Sequence, residues 1–177
     1  MKRFLKPLIL IIATTFSINV MAQSIPVPSE SETPTLDYVM TLSVNLGEAY
    51  SVGRTSFGSR NVIPITGGTF QGPNIKGTII PGGADWQLSD SESGRTTLEA
   101  IYAIRTDDGV NIHVRNVGII ANGKDSNGNP TFYFRAAPKF EAPIDSKYAW
   151  LNNALFVCAP NFSGPQGTIT LHVWMVK

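Results

Sequence analysis

From Leu36 onward, apolar and polar residues take turns along the chain. Tyr38, Met40, Leu42, Val44 and Leu46 fall on one parity, and Asp37, Thr41, Ser43 and Asn45 on the other, which is the period of a strand with one face in a core. The last stretch, GTITLHVWMVK, repeats the pattern: Ile169, Leu171, Val173 and Met175 alternate with Thr170, His172 and Trp174. Between these ends lie further short runs, NVIPITGGTF, NIKGTIIP and ADWQLS, separated by glycine and proline. No segment carries the three-and-four spacing of an amphipathic helix, and GGTFQGPNIKGTIIPGG is too rich in Gly and Pro to form one. Such runs predict roughly eight to ten antiparallel strands. A single all-β domain, an antiparallel β-barrel over residues 36–177, is expected, because closure removes the edges of a domain that has no disulfide to hold it.

One hairpin can be placed with its register. In LEAIYAIRTDDGVNIHVRNVG, a three-residue loop Asp107-Asp108-Gly109 puts Gly109 at the left-handed position such a loop requires. Thr106 then pairs with Val110, Ile104 with Ile112, Tyr102 with Val114, and Ala100 with Asn116. The opposite face carries Glu99, Arg105, Asn111, His113 and Arg115. A two-residue loop would mix the faces, so alternation selects the longer one. Asn116 is thereby placed on the core side, where an amide needs partners or a ligand.

The N-terminus changes the picture of compartment. Lys2, Arg3 and Lys6 precede an apolar run from Leu8 to about Ile18, and Val20 and Ala22 stand before Gln23. This order predicts a secretory signal peptide over residues 1–22, with a core too short to span a membrane. Its removal from the 177 residues leaves 155, enough for one domain with a core. Eleven cations then face 13 acids, close to a net charge of −2. A charge so balanced lacks the basic surface that nucleic acid or anionic lipid would require. The expected location is the periplasm or the medium of a bacterium, with no membrane partner after cleavage. Residues 23–35, QSIPVPSESETPT, are too polar and proline-rich to bury much and read as a flexible lead-in. Cys158, the one cysteine, sits in the apolar stretch ALFVCAP and is expected to be buried.

Candidate chemistry is sparse. GGTFQGPNIKGT has its lysine before the glycine rather than after it, so it is no phosphate loop. DSNGNP, residues 125–130, begins like a calcium loop, but the position that needs glutamate is Ala136. His113 and His172 are the only histidines and have no thiolate or carboxylate at ligand spacing, so neither a metal nor another cofactor is expected. No activated-serine elbow is present. What remains are polar residues among aromatics: Asp85 beside Trp86 after a double glycine, Arg135 and Glu141 with Phe140 in FYFRAAPKFEAP, and Asn152 with Trp150 in YAWLNNALF. A charge buried without a partner costs several kcal/mol, so each must pair or meet a ligand. Either Asp85 or Glu141 could pair with Arg135, or the carboxylates could serve an aromatic-lined pocket as acid and base.

Four stretches, IPITGGTFQGPNIKGTIIPGGADWQ, YAIRTDDGVNIHVRNVG, FYFRAAPKFEA and YAWLNNALFV, resemble the blocks of the family called domain of unknown function 3237, an uncharacterised protein family. The resemblance runs from about Tyr38 to Val176. It implies a small antiparallel barrel and no established reaction. The residues that match it include Gly68, Gly72, Gly77, Gly82, Gly83, Asp85, Trp86, Thr106, Asp108, Gly109, Asn116, Phe140, Glu141, Trp150, Leu151 and Asn152. The chain departs from it in its export signal, in the short loop NGKDSNGNPTF, and in His113, where an aromatic or aliphatic residue is more usual.

Together these readings predict an exported barrel with a central small-molecule pocket. Asp85 and Glu141 are its acid/base candidates, Trp86, Phe140 and Trp150 its apolar walls, and Asn116, Asn152 and Arg135 its polar contacts. Proton-transfer chemistry of an isomerase, lyase or hydrolase suits these residue types. Two other classes compete: a binding protein without turnover, and a homo-oligomeric scaffold in which the exposed Trp174 makes a subunit contact.

Overall fold

The computed structural model describes residues 27–177. The export signal expected over residues 1–22, and the start of the lead-in, lie outside the described residues. Of the lead-in, residues 27–35 are exposed, with one short turn at Glu30–Glu32 in which a Glu32 carboxylate oxygen accepts the Ser29 N–H at 2.7 Å.

Alternation then builds nine strands: β1 (Leu36–Leu46), β2 (Tyr50–Thr55), β3 (Gly58–Gln71), β4 (Lys76–Asp90), β5 (Arg95–Thr106), β6 (Asn111–Lys124), β7 (Pro130–Glu141), β8 (Phe156–Asn161) and β9 (Thr168–Val176). Each pairs antiparallel with its neighbours in the order β1-β9-β8-β7-β6-β5-β4-β3-β2, and a further pairing of β1 with β3 closes the ring. The result is a closed eight-stranded antiparallel barrel with one extra strand, β2. This strand takes up the line of β1 after a break at 47–49 and runs along the start of β3, where Tyr50 lies opposite Val62.

The hairpin of β5 and β6 has the register that its loop and alternation require. Ile104 faces Ile112, Tyr102 faces Val114 and Ala100 faces Asn116. Gly109 has φ +88°, and the Thr106 N–H donates to the Val110 carbonyl at 2.9 Å. In β1 the expected parity fails at one end. The register shifts between Tyr38 and Met40, so Val39 and Met40 are both buried while Tyr38 faces outward, edge-on to Trp174 at 6.4 Å. A bulge of this kind adds a residue and reverses which face the preceding side chains take.

Glycines appear where strands approach closely. A Cβ at Gly68 would stand 2.1 Å from the Ser43 carbonyl oxygen, and one at Gly83 would stand 2.5 Å from the Tyr102 Cβ. These contacts leave no room for a side chain, and both positions lie where the β3–β4 or β4–β5 register slips.

The barrel interior has two unlike halves. Toward the β5–β6 turn it is filled by Met40, Leu42, Phe70, Ile79, Ile104, Ile112, Val114, Phe140, Phe156 and Val173, all nearly inaccessible. A short 3-10 segment, Ala149–Asn153, closes this end with the buried Leu151 and Tyr148. The Tyr148 hydroxyl donates to Asp108 in the β5–β6 turn at 2.8 Å, and Lys147 pairs with the same carboxylate at 2.9 Å. The other half, toward the β4–β5, β6–β7 and β8–β9 turns, is hollow.

Candidate functional site

The hollow half is a cavity of about 320 Å³. Its walls alternate inward from every strand of the ring: Val44 and Leu46, Ile63 and Ile65, Asp85 and Gln87, Leu98, Ala100 and Tyr102, Asn116 and Ile120, Phe134 and Ala136, Pro160, and Ile169 and Leu171. Phe162, just beyond β8, stacks on Phe134 at 5.8 Å on the same wall. Almost every group is apolar, so the polar ones define what the cavity can do.

Asp85 is the one carboxylate among them. β4 gains two residues relative to β5 between the Ile80–Ala103 and Ala84–Ile101 pairs, in the Pro81-Gly82-Gly83 bulge. An even offset preserves parity, so Asp85 faces inward as Ile79 does. Beyond it the ladder opens. Asp85 pairs with Ala100 and Leu88 with Thr97, with no pair between them. The Asp85 carboxylate takes the Glu99 N–H at 3.1 Å and the Gln87 amide N–H at 2.8 Å, while the Trp86 carbonyl on the other side of the strand accepts from Arg60 at 3.3 Å. No cation pairs with Asp85 among the described residues. Burial among apolar walls pushes its pKa above the ordinary carboxylate value, and the hydrogen bonds from Gln87 and Glu99 offset only part of that rise.

Asn116 lies on the same cross-strand row, since Asp85 faces Ala100 and Ala100 faces Asn116. Two strand spacings put the Asp85 and Asn116 backbones about 10 Å apart, with only the methyl of Ala100 between them on the inner face. Asn116 is 7% exposed, and its Oδ1 has no hydrogen-bond partner. Below it, Cys158 is buried, as its apolar setting requires, and burial pushes its thiol up to about 12. That thiol is no nucleophile near neutral pH.

Of the eight residues singled out in the sequence, the cavity thus brings together Asp85 and Asn116. Phe140 is inside the barrel but in the packed half, edge-on to Phe156 at 5.0 Å. The other five are outside it. Trp86 follows Asp85 by one residue, so a strand must send it to the opposite face, where it is 43% exposed. Glu141, next to the inward Phe140, is outside for the same reason and pairs with His113 at 3.8 Å and Lys139 at 3.7 Å. Arg135 alternates with the inward Phe134 and Ala136; it donates to the Phe134 carbonyl at 2.7 Å and lies over the Tyr133 ring, paired with neither Asp85 nor Glu141. Trp150 and Asn152 belong to the 3-10 segment at the closed end, not to a strand. Trp150 rests against Phe156, and the Asn152 amide brackets Ala142, accepting its N–H at 2.7 Å and donating to its carbonyl at 2.9 Å. Gln87, Tyr102, Ala100 and the Phe134–Phe162 stack belong to the cavity and were not singled out. Gln87 carried a readable signal, since it stands two residues from Asp85 and must share its face.

The sequence from residue 34 to 176 matches the family described as Protein of unknown function (DUF3237). The chain belongs to this family. Its similarity to a UPF0311 protein of Rhodopseudomonas palustris is 40% identity over 136 residues, 71% of this chain and 88% of that one. The fold of this DUF3237 chain is also that of a solved structure described as a beta-barrel like protein from Acinetobacter baumannii, with a TM-score of 0.71 at 32% identity over 88% of this chain and all of that one. A more distant relative is named hydroalkoxylation enzyme phnH, from Penicillium herquei. It is 29% identical over 120 residues, 68% of this chain and 70% of that protein.

Proposed function

We propose that this DUF3237 barrel binds a small, mainly apolar organic molecule in its hollow half and that Asp85 moves a proton on it. The observation that carries the reading is Asp85 itself: an inward carboxyl among apolar walls, with no cation beside it among the described residues and its pKa raised by burial. A carboxyl whose pKa is raised by burial holds a proton more firmly than an exposed one, and can take a proton from one atom of a bound molecule and return it to another. Stabilising the opened ladder does not by itself call for an acid at this position: a carboxamide would accept the Glu99 N–H through its one oxygen and donate its own N–H to the oxygen of a turned Gln87 amide, without desolvating a charge. The name of the Penicillium herquei relative supports the chemistry. Adding a hydroxyl across a carbon–carbon double bond needs a proton on one carbon, a bond from oxygen to the other, and the hydroxyl proton returned to the donor. One carboxyl can perform both transfers without an oxidant or co-reactant. We place this activity after export, as the N-terminal sequence suggests; intact mass of the protein from its host should then begin at Gln23.

Binding is tested with N-phenyl-1-naphthylamine, a neutral apolar fluorophore. The expected result is saturable binding of one probe per chain, weakened at least tenfold in Ala100→Leu, which fills the gap between Asp85 and Asn116. A probe that does not bind, or binds the filled variant equally well, removes the cavity from the function. The reading without turnover is separated by Asp85→Asn: a pure binding protein loses little when that carboxyl becomes an amide, whereas proton transfer stops.

A further inference from the structure

Asn116 makes a demand that the protein does not meet. The residue is more than nine-tenths buried and its Oδ1 is the one buried side-chain oxygen or nitrogen without a partner among the described residues. A buried acceptor left unpaired costs about 1–3 kcal/mol. The Asn116 amide offsets part of the rise that burial gives the Cys158 thiol pKa, as an N–H turned toward sulfur does. The oxygen is the end left over, and Asn116 lines the cavity. The groups nearby do not remedy this. Ala100 and Pro138, its partners across β5 and β7, have no side-chain donor, and the Gln87 amide is committed to Asp85 at 2.8 Å.

Apolar walls exclude a highly polar occupant, and the orphan oxygen calls for one donor at one place. Resting on the reading that the hollow half is a ligand cavity, we propose that its occupant is a neutral hydroxylated compound, a phenol or alcohol on an apolar ring-sized body, whose O–H donates to Asn116 Oδ1. The space left above the small Ala100 side chain holds the part of the molecule between that hydroxyl and the atom facing Asp85. Asn116 is then a specificity residue: it selects compounds that bring a donor over equally apolar ones that do not.

The test compares three two-ring probes on the purified protein by calorimetry: 1-naphthol, which has a donor, 1-methoxynaphthalene, which has only an acceptor, and 1-methylnaphthalene, which has neither. The expected result is 1-naphthol bound about tenfold more tightly than either of the others, the ratio that one satisfied hydrogen bond provides. That preference should vanish in Asn116→Leu, with affinity for 1-methylnaphthalene kept, and should survive in Glu141→Gln, whose side chain lies outside the barrel. Asn116→Ala serves the same purpose if the leucine variant does not fold. Equal binding of the three probes by the wild type overturns the proposal while leaving the cavity reading intact. So does a preference for 1-naphthol that persists without Asn116. If none of the three binds, both readings fall together.

Discussion

The same eight strands build a solid half and a hollow half, and the difference lies in a few residues per strand. β5 contributes Ile104 to the solid half and Ala100 to the hollow one; β6 contributes Ile112 and Val114, then Asn116 and Gly118. Toward the closed end, the inward positions carry large apolar side chains that are nearly inaccessible. Toward the open end, Asp85, Gln87, Ala100, Asn116, Gly118 and Ala136 interrupt the large apolar residues on the same parity. The half that folds the protein and the half that can bind something are thus separable, although they share every strand. Their aspartates follow the division. Asp108, at the closed end, has its pKa held well below the ordinary carboxylate value by hydrogen bonds from Thr106, Lys147 and Tyr148, while burial raises that of Asp85 at the open end.

The contrast can be broken at several points. The largest effect is expected from Phe140→Ala. This side chain is 2% exposed and packed against Phe156, so its loss should lower stability by about 3–5 kcal/mol, read from urea unfolding. Ile120→Ala, on the cavity wall, should cost about 1–2 kcal/mol, because one side of that residue already faces space and forfeits fewer contacts. If the two truncations cost the same, the hollow half is collapsed in solution.

The aspartates should give smaller effects of opposite sign, read from urea midpoints across pH. A raised folded pKa means that the Asp85 contribution is greatest below the ordinary value of 3.8 and is lost as pH rises through the folded value. Asp85→Asn should therefore stabilise the protein near neutral pH and flatten that fall. A lowered folded pKa makes Asp108 act in reverse: its contribution is present above 3.8 and lost as pH drops. Asp108→Asn should weaken the protein at neutral pH and remove part of its acid sensitivity. Aspartates whose variants shift the pH curve in the same direction would erase the distinction between the two ends.

Much of this was legible in the sequence, and the limits have physical causes. The β5–β6 hairpin could be placed residue by residue because strict alternation met a loop whose glycine admits one geometry. Asn116 stood out because it is polar on an apolar parity, and Asp85 because it is a charge inside an apolar run after a double glycine. The remaining candidates were grouped by nearness along the chain, and in a strand nearest neighbours point apart. Asp85 with Trp86, and Phe140 with Glu141, could never both face the same interior. Trp150 and Asn152 needed knowledge that YAWLNN forms a 3-10 turn, which apolar content alone does not distinguish from a strand. A central pocket is expected from the sequence, but which half of the barrel is hollow was not legible. An inward Ala100 or Gly118 reads as an ordinary small core residue until the facing strands show that nothing fills the space.

The most direct test of Asp85 as a proton carrier needs no substrate. In protein labelled with ¹³C at the aspartate carboxyls, the Asp85 signal is assigned by its loss in Asp85→Asn and followed through a pH titration. The expected midpoint lies clearly above the ordinary value for aspartate, and rises further when N-phenyl-1-naphthylamine fills the cavity and dries the carboxyl. A midpoint at or below the ordinary value would make Asp85 a plain carboxylate at every working pH, useful for closing the gap in the β4–β5 ladder and unable to serve as the acid.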